Sequence, residues 1–260
     1  MAKKNKTDTA VISHSKLSLE TLLTTINLPV QAIILVSIAF SFYINTILNG
    51  YVLDDLMVIT GNQFTLKGFA GIKDILSNDS FVGCTGVGNQ LVGGRYRPLS
   101  LVSFAIECEF FGQNPMISHF VNVLLYCIIV FLLFYFLTKY IFPKNVLAAF
   151  LSALIFVIHP VHTEVVANIK SRDELMSLLF LLASLYTLCR FYIDNRHWLL
   201  LIISLLFYFL SYLSKENAIT YLAVIPLLFY FISNKKIKSI ILVTIPYILV
   251  TAGYFFLRYN

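Results

Sequence analysis

The sequence predicts an all-α polytopic membrane protein of about seven transmembrane helices, with a long first extracytoplasmic loop that carries amphipathic helices. Three observations predict it. The 260 residues are 58% hydrophobic and only 12% charged, with a mean hydropathy of +0.82, whereas a soluble domain carries about 25% charged residues. Seven apolar segments recur along the chain at or near spanning length. Lysine and arginine crowd the short connections on one side of those segments.

The segments run over roughly 28–48, 117–141, 145–159, 174–191, 198–213, 218–233 and 238–257. A spanning helix needs about 20 apolar residues. The third and sixth fall short, which suits a bundle with a water-filled cavity on one side, where polar backbone is tolerated. With residues 1–27 as a cytoplasmic tail, Lys3, Lys4, Lys6 and Lys16 lie inside, and so do Lys139, Lys144, Arg190, Arg196, Lys235, Lys236 and Lys238 of the short loops. That bias sets the orientation. Most acids then fall outside, among them Asp54, Asp55, Glu107, Glu164, Asp173, Glu174 and Glu216. The first apolar run is too long for a cleavable leader and is expected to stay as an anchor. The net charge of +6 resides in the tail and loops, with no basic stripe interleaved with aromatics, so nucleic acid is not an expected partner. The 23 Phe and 15 Tyr are read mostly as lipid-facing packing.

The one long loop, 49–116, has its own pattern. Leu66, Phe69, Ile72, Ile75 and Leu76 recur at helical spacing, predicting an amphipathic helix over Phe64–Leu76 that lies on the membrane surface and ends at Asn78-Asp79. Gly83, Gly86, Gly88, Gly93 and Gly94 follow. They lack the Gly-Lys-Ser/Thr of a phosphate loop and suit a mobile lid or an ordinary irregular loop equally. Cys84 and Cys108 share this loop, where a disulfide is possible; Cys127 and Cys189 read as core packing.

Ionisable groups beside apolar spans mark candidate sites. Asp54 and Asp55 follow the first span. Adjacent carboxylates in low dielectric repel each other, which raises a pKa and suits a general base, while a solvated turn or a helix cap is the plain alternative. Arg95 and Arg97 precede Pro98, which fits a first helical turn; they can grip an anion bidentately or merely snorkel. His159 and His162 are three apart with Glu164 beyond, and could share a helix face. A zinc site needs further ligands that the sequence does not clearly offer, leaving substrate hydrogen bonding, orientation of Glu164, or polar packing. Lys215 can meet a phosphate as a point charge or pair with a carboxylate such as Glu216.

Four stretches resemble the membrane module of the transmembrane and tetratricopeptide-repeat protein O-mannosyltransferases, which have the GT-C glycosyltransferase fold. They are Tyr51-Val-Leu-Asp-Asp-Leu; Tyr96-Arg-Pro-Leu-Ser through Phe120-Val-Asn-Val-Leu-Leu; His159-Pro-Val-His-Thr-Glu-Val-Val-Ala with Arg172-Asp-Glu-Leu; and Ser214-Lys-Glu-Asn-Ala-Ile-Thr. They cover about 50–220, and the His-Pro-Val-His-Thr-Glu string is the most specific. The resemblance implies that residues 28–260 form a GT-C-like helical module. It implies inverting transfer of a sugar, mannose by this analogy, from a polyprenyl-phosphate donor to protein Ser/Thr hydroxyls on the extracytoplasmic face, in the periplasm or the ER lumen. Asp54 or Asp55 would be the base. Arg97, His162, Glu164, Arg172 and Lys215 would contact donor phosphate or sugar, or support the site. No metal ligands are assigned, although a divalent cation is possible in such folds.

The chain departs from the family by lacking helical repeats of about 34 residues. It also ends at Leu257-Arg-Tyr-Asn260 with no visible stop. It is therefore expected to be truncated at its C-terminus, with a partner subunit supplying missing helices or repeats. Membrane lipids, a lipid-linked sugar and an acceptor protein are the expected partners. The competing expectation is a non-catalytic scaffold subunit. A transporter would show inverted repeats, and none is visible.

Overall fold

The computed structural model describes residues 26–86 and 95–259. The basic tail lysines Lys3, Lys4, Lys6 and Lys16 and the glycines Gly88, Gly93 and Gly94 lie outside the described residues. All seven apolar segments are helical, and no strand occurs among the described residues. They are α1 (Leu28–Tyr43, prolonged by a 3₁₀ turn to Leu48), α6 (Pro115–Phe136), α7 (Val146–Ile158), α9 (Arg172–Tyr192), α10 (Leu199–Ser214), α11 (Tyr221–Ile232) and α12 (Ile237–Tyr259). The loop contributes α2 (Gln63–Leu66), α3 (Ile72–Ser77), α4 (Val82–Thr85) and α5 (Pro98–Phe111), and a short α8 (His162–Ala167) follows α7. Four helices are long and apolar enough to cross a membrane: Leu28–Leu48, Pro115–Ile141, Ile169–Tyr192 and Ile237–Tyr259. The chain is a multi-pass membrane protein. Besides the two segments expected to be short, α10 is short as well, at 16 residues, and α7 has only 13.

Two helical groups share α9. Leu35 and Ala39 of α1 pack with Val123, Ile129 and Val130 of α6, Ala149 and Ala153 of α7, and Leu175 and Leu182 of α9. On the other flank Leu181, Leu185 and Leu188 of α9 pack with Tyr208 and Tyr212 of α10, Phe229 of α11 and Tyr247 and Tyr254 of α12. These tyrosines turn inward, contrary to the lipid-facing expectation. In hydrocarbon a hydroxyl must find its partner inside the protein. Here Ser204 bonds Tyr247 at 2.5 Å and Tyr212 bonds Thr251 at 2.9 Å.

The loop folds into a cap with its own small core of Val58, Ile59, Ile75, Phe81, Leu101 and Phe104. The helix predicted over Phe64–Leu76 is broken into α2, a 3₁₀ turn at Gly68–Gly71, and α3. Gly68 has a φ of +60°, and a Cβ at Gly71 would lie 1.8 Å from the Phe64 carbonyl oxygen. The chain must fold back on itself there, so one straight helix cannot form. Leu66, Phe69 and Leu76 of the stripe remain exposed, while Ile75 is buried. The helix stops where expected, with Asn78 extended and its side chain bonding the Asp74 carbonyl. Asn62 ties the cap together: its oxygen accepts from the Phe64 and Thr65 amides, and its nitrogen donates to Met57 and Ser80 carbonyls. Gly83 packs against that side chain, leaving no room for a Cβ. Cys84 and Cys108 are both free thiols.

Candidate functional site

The site is built where the cap meets the ends of the helices. The adjacent aspartates have opposite fates. Asp55 is fully buried. Its carboxylate accepts from the Val52 amide at 2.8 Å and the Lys170 amide at 2.9 Å, stapling the turn after α1 to the turn before α9. Burial pushes its pKa up, and the two amides pull against that shift. Asp54 points outward, with its side chain about half exposed at 55% and the Lys170 ammonium 3.8 Å away. A base must reach a substrate proton; Asp54 can, and Asp55 is occupied by structure.

Pro98 opens α5 as the expected first-turn proline, and Arg97 just ahead of it forms a fork. Its Nε and one terminal nitrogen hold both Glu216 oxygens at 2.9 and 2.6 Å, and the other nitrogen holds Asp173 at 2.7 Å. Burial alone would push the Glu216 carboxyl up. The Arg97 guanidinium outweighs burial and holds it at about 2. Asp173 and Glu174 occupy the first turn of α9, where the helix dipole favours them. Lys215 pairs with Glu174 and lies 3.8 Å from Asp173. These pairs form one lattice.

Arg172 sits behind that lattice with no exposed surface. Its donors go to Glu107, Asn122, Ser103 and the Ser118 carbonyl, and the Phe104 ring lies 4.2 Å from its guanidinium. With no surface of its own exposed, Arg172 joins α5 and α6 to α9. Pro160 ends α7's run, so His159 and His162 do not share a helix face. His159 lies in the turn, His162 opens α8, and their rings are 6.0 Å apart. The His162 ring packs on Phe156 at 4.3 Å, and burial, then His159, lower its pKa. Glu164 is exposed, in the first turn of α8.

Two openings flank the lattice. A cavity of about 370 Å³ lies between the helical groups, walled by Tyr126, Phe156, Leu178 and Leu181, with His162, Glu174 and Asn217 among its polar residues. A narrow crevice on the other side is lined by Arg95, Arg97, Lys170 and Asp173. The residues from the four motifs thus form a band from Asp54 through Lys170, Arg97, Asp173, Lys215 and Glu174 to His162, with Arg172 beneath. Lys170 is the member that sequence reading passed over; its only signal was a basic residue two positions ahead of Arg172-Asp-Glu. Among the described residues no three His, Cys, Asp or Glu side chains gather as a metal site.

Residues 99–258 match the family described as dolichyl-phosphate-mannose-protein mannosyltransferase. The chain belongs to that family. Relatives place it with the transmembrane and tetratricopeptide-repeat branch. Protein O-mannosyl-transferase Tmtc1 of Drosophila melanogaster is 35% identical over 191 residues, which is 71% of this chain and 21% of the relative. Mouse protein O-mannosyl-transferase TMTC1 is 42% identical over 52% of this chain and 14% of its own length. Mouse TMTC3 is 28% identical over 73% of this chain and 20% of its own. The chain thus spans between 14% and 21% of the length of these relatives. No solved structure matches it. The family match begins two residues after Arg97, so Asp54 lies outside it.

Proposed function

We propose that this chain is the membrane module of a protein O-mannosyltransferase that moves mannose from a polyprenyl-phosphate donor to a Ser/Thr hydroxyl on the extracytoplasmic face, with inversion. The N-terminus is cytoplasmic in this reading. The observation that carries it is the apolar cavity of about 370 Å³ that meets the ion-pair lattice at Glu174, the partner of Lys215. A lipid-linked anion needs that combination: a greasy wall for the chain and cations at its end. The prenyl chain lies along Leu178 and Leu181. The phosphate draws Lys215 away from Glu174, while Arg97 and Lys170 supply further positive charge. Asp54 takes the acceptor hydroxyl's proton as its oxygen attacks the anomeric carbon. The carbon–oxygen bond to phosphate breaks, and the polyprenyl phosphate leaves with the electron pair. One displacement from the far face inverts the anomeric centre. Arg172 and Asp55 hold the site from behind.

A second reading has its own observation. Arg97 and Lys215 are already neutralised by Asp173, Glu216 and Glu174, as suits a scaffold subunit that binds no donor. Transfer from polyprenyl-phosphate mannose to an acceptor, measured in membranes containing the protein, separates the two. Asp54→Asn is expected to abolish transfer while the protein still inserts and folds. Full transfer in both Asp54→Asn and Asp55→Asn would overturn the enzyme reading, and purification without any bound polyprenyl lipid would favour the scaffold.

A further inference from the structure

The turn that presents Asp54 carries a feature that proton transfer does not use. Leu53 has a φ of +45°, in the left-handed region that disfavours leucine and suits glycine or asparagine. The conformation is held from both sides. The Asp55 carboxylate binds the Val52 and Lys170 amides, and the Leu56 and Met57 amides bond the Leu53 and Asp54 carbonyls. A leucine kept in so unfavourable a backbone position implies a use for its side chain. That use is not internal, because Leu53 is 89% exposed. Val52, Leu56 and Leu48 beside it are exposed too.

The chemistry of the partner follows from continuity. Leu48 closes the apolar stretch Leu28–Leu48, which is long enough to cross a membrane, and Ile33, Phe42 and Ile44 are exposed along the same stretch. No charged residue occurs anywhere from Leu28 to Leu53. Exposed apolar residues therefore recur from α1 to the turn, and the exposed residues between them, Asn45 and Asn49-Gly50 included, carry no charge. We propose that Val52 and Leu53 insert into the bilayer at the leaflet edge where α1 ends, and anchor the turn so that Asp54 stays at headgroup depth. The anchor stands on the geometry alone. Its use, keeping a base level with a lipid phosphate, rests on the transferase reading.

Trp198 is the protein's only tryptophan, so W198F gives a silent background. L53W in that background, in phosphatidylcholine nanodiscs, is expected to emit at short wavelength, to lose intensity with lipid brominated high in its acyl chains, and to be shielded from iodide. Long-wavelength emission that iodide quenches and brominated lipid leaves unchanged would overturn the anchor and leave Leu53 to a water-borne partner such as the acceptor chain. V52W, read in the same way, decides the question should L53W not fold. The measurement needs neither donor nor acceptor, so failure of the anchor and failure of the transferase reading are distinguishable.

Discussion

Replacing Arg172 by methionine is expected to destabilise the protein by about 3–5 kcal/mol, the range for breaking a buried ion pair by removing one partner. The structure supplies the reasoning. Arg172 has no exposed surface and Glu107 is 9% exposed. The arginine meets both Glu107 oxygens, and Ser118 donates to the same carboxylate at 2.7 Å. Methionine fills similar space but leaves the Glu107 charge uncompensated and strands the oxygens of Asn122 and Ser118. The double variant Glu107→Leu/Arg172→Met removes the orphaned charge as well, so it is expected to lie closer to wild type than Arg172→Met alone. Arg172→Lys keeps the charge but loses the planar fork that reaches four partners at once, and is expected to rescue only in part. Equilibrium unfolding in mixed micelles, followed by circular dichroism, gives all four stabilities. A loss within about 0.5 kcal/mol for Arg172→Met, as at an ordinary surface position, would refute the buried-charge reasoning.

Asp55→Asn weakens the staple to the Val52 and Lys170 amides, so it is expected to lower the thermal midpoint, whereas Asp54→Asn leaves it unchanged. The pair is told apart by melting curves run beside the transfer assay. The Glu216 carboxyl is held at about 2 against an ordinary 4.5. Its folded pKa lies below its unfolded one, so its contribution of up to about 3 kcal/mol is complete above pH 4.5 and drains away as pH falls toward 2. Melting temperatures from pH 6 to 3 are expected to fall less steeply in Glu216→Gln. Gly71→Ala drives a methyl into the Phe64 carbonyl, so a loss of more than about 1 kcal/mol is expected, visible as faster proteolysis of the cap.

The apolar helices were legible because hydropathy is local: each of the seven apolar segments is helical, within a few residues of its expected ends, and four of them are long and apolar enough to cross a membrane. The helix stop at Asn78 and the start at Pro98 were legible for the same reason. The two aspartates were not separable. What separates them is the burial of Asp55 against the Val52 amide and the Lys170 amide, the latter 115 residues away, while Asp54 stays half exposed. The Arg97 fork to Glu216 spans 119 residues, and no pattern in either stretch announces the pairing. The stripe over Phe64–Leu76 misled because periodicity outweighed Gly68 and Gly71, two residues that already signalled a bend. Arg172 read as a candidate ligand because a charge beside a span is costly; the same cost is met by Glu107 and Asn122 in the interior.

The brevity of α7 bears on the lipid around the protein. Thirteen residues make a helix about 20 Å long, roughly 10 Å short of a hydrocarbon core about 30 Å thick. Hydrophobic mismatch of that size is relieved by local thinning of the bilayer. Phe156, near the end of α7, also walls the large cavity. A bilayer crossed by α7 would have to thin beside a residue that walls the cavity of about 370 Å³.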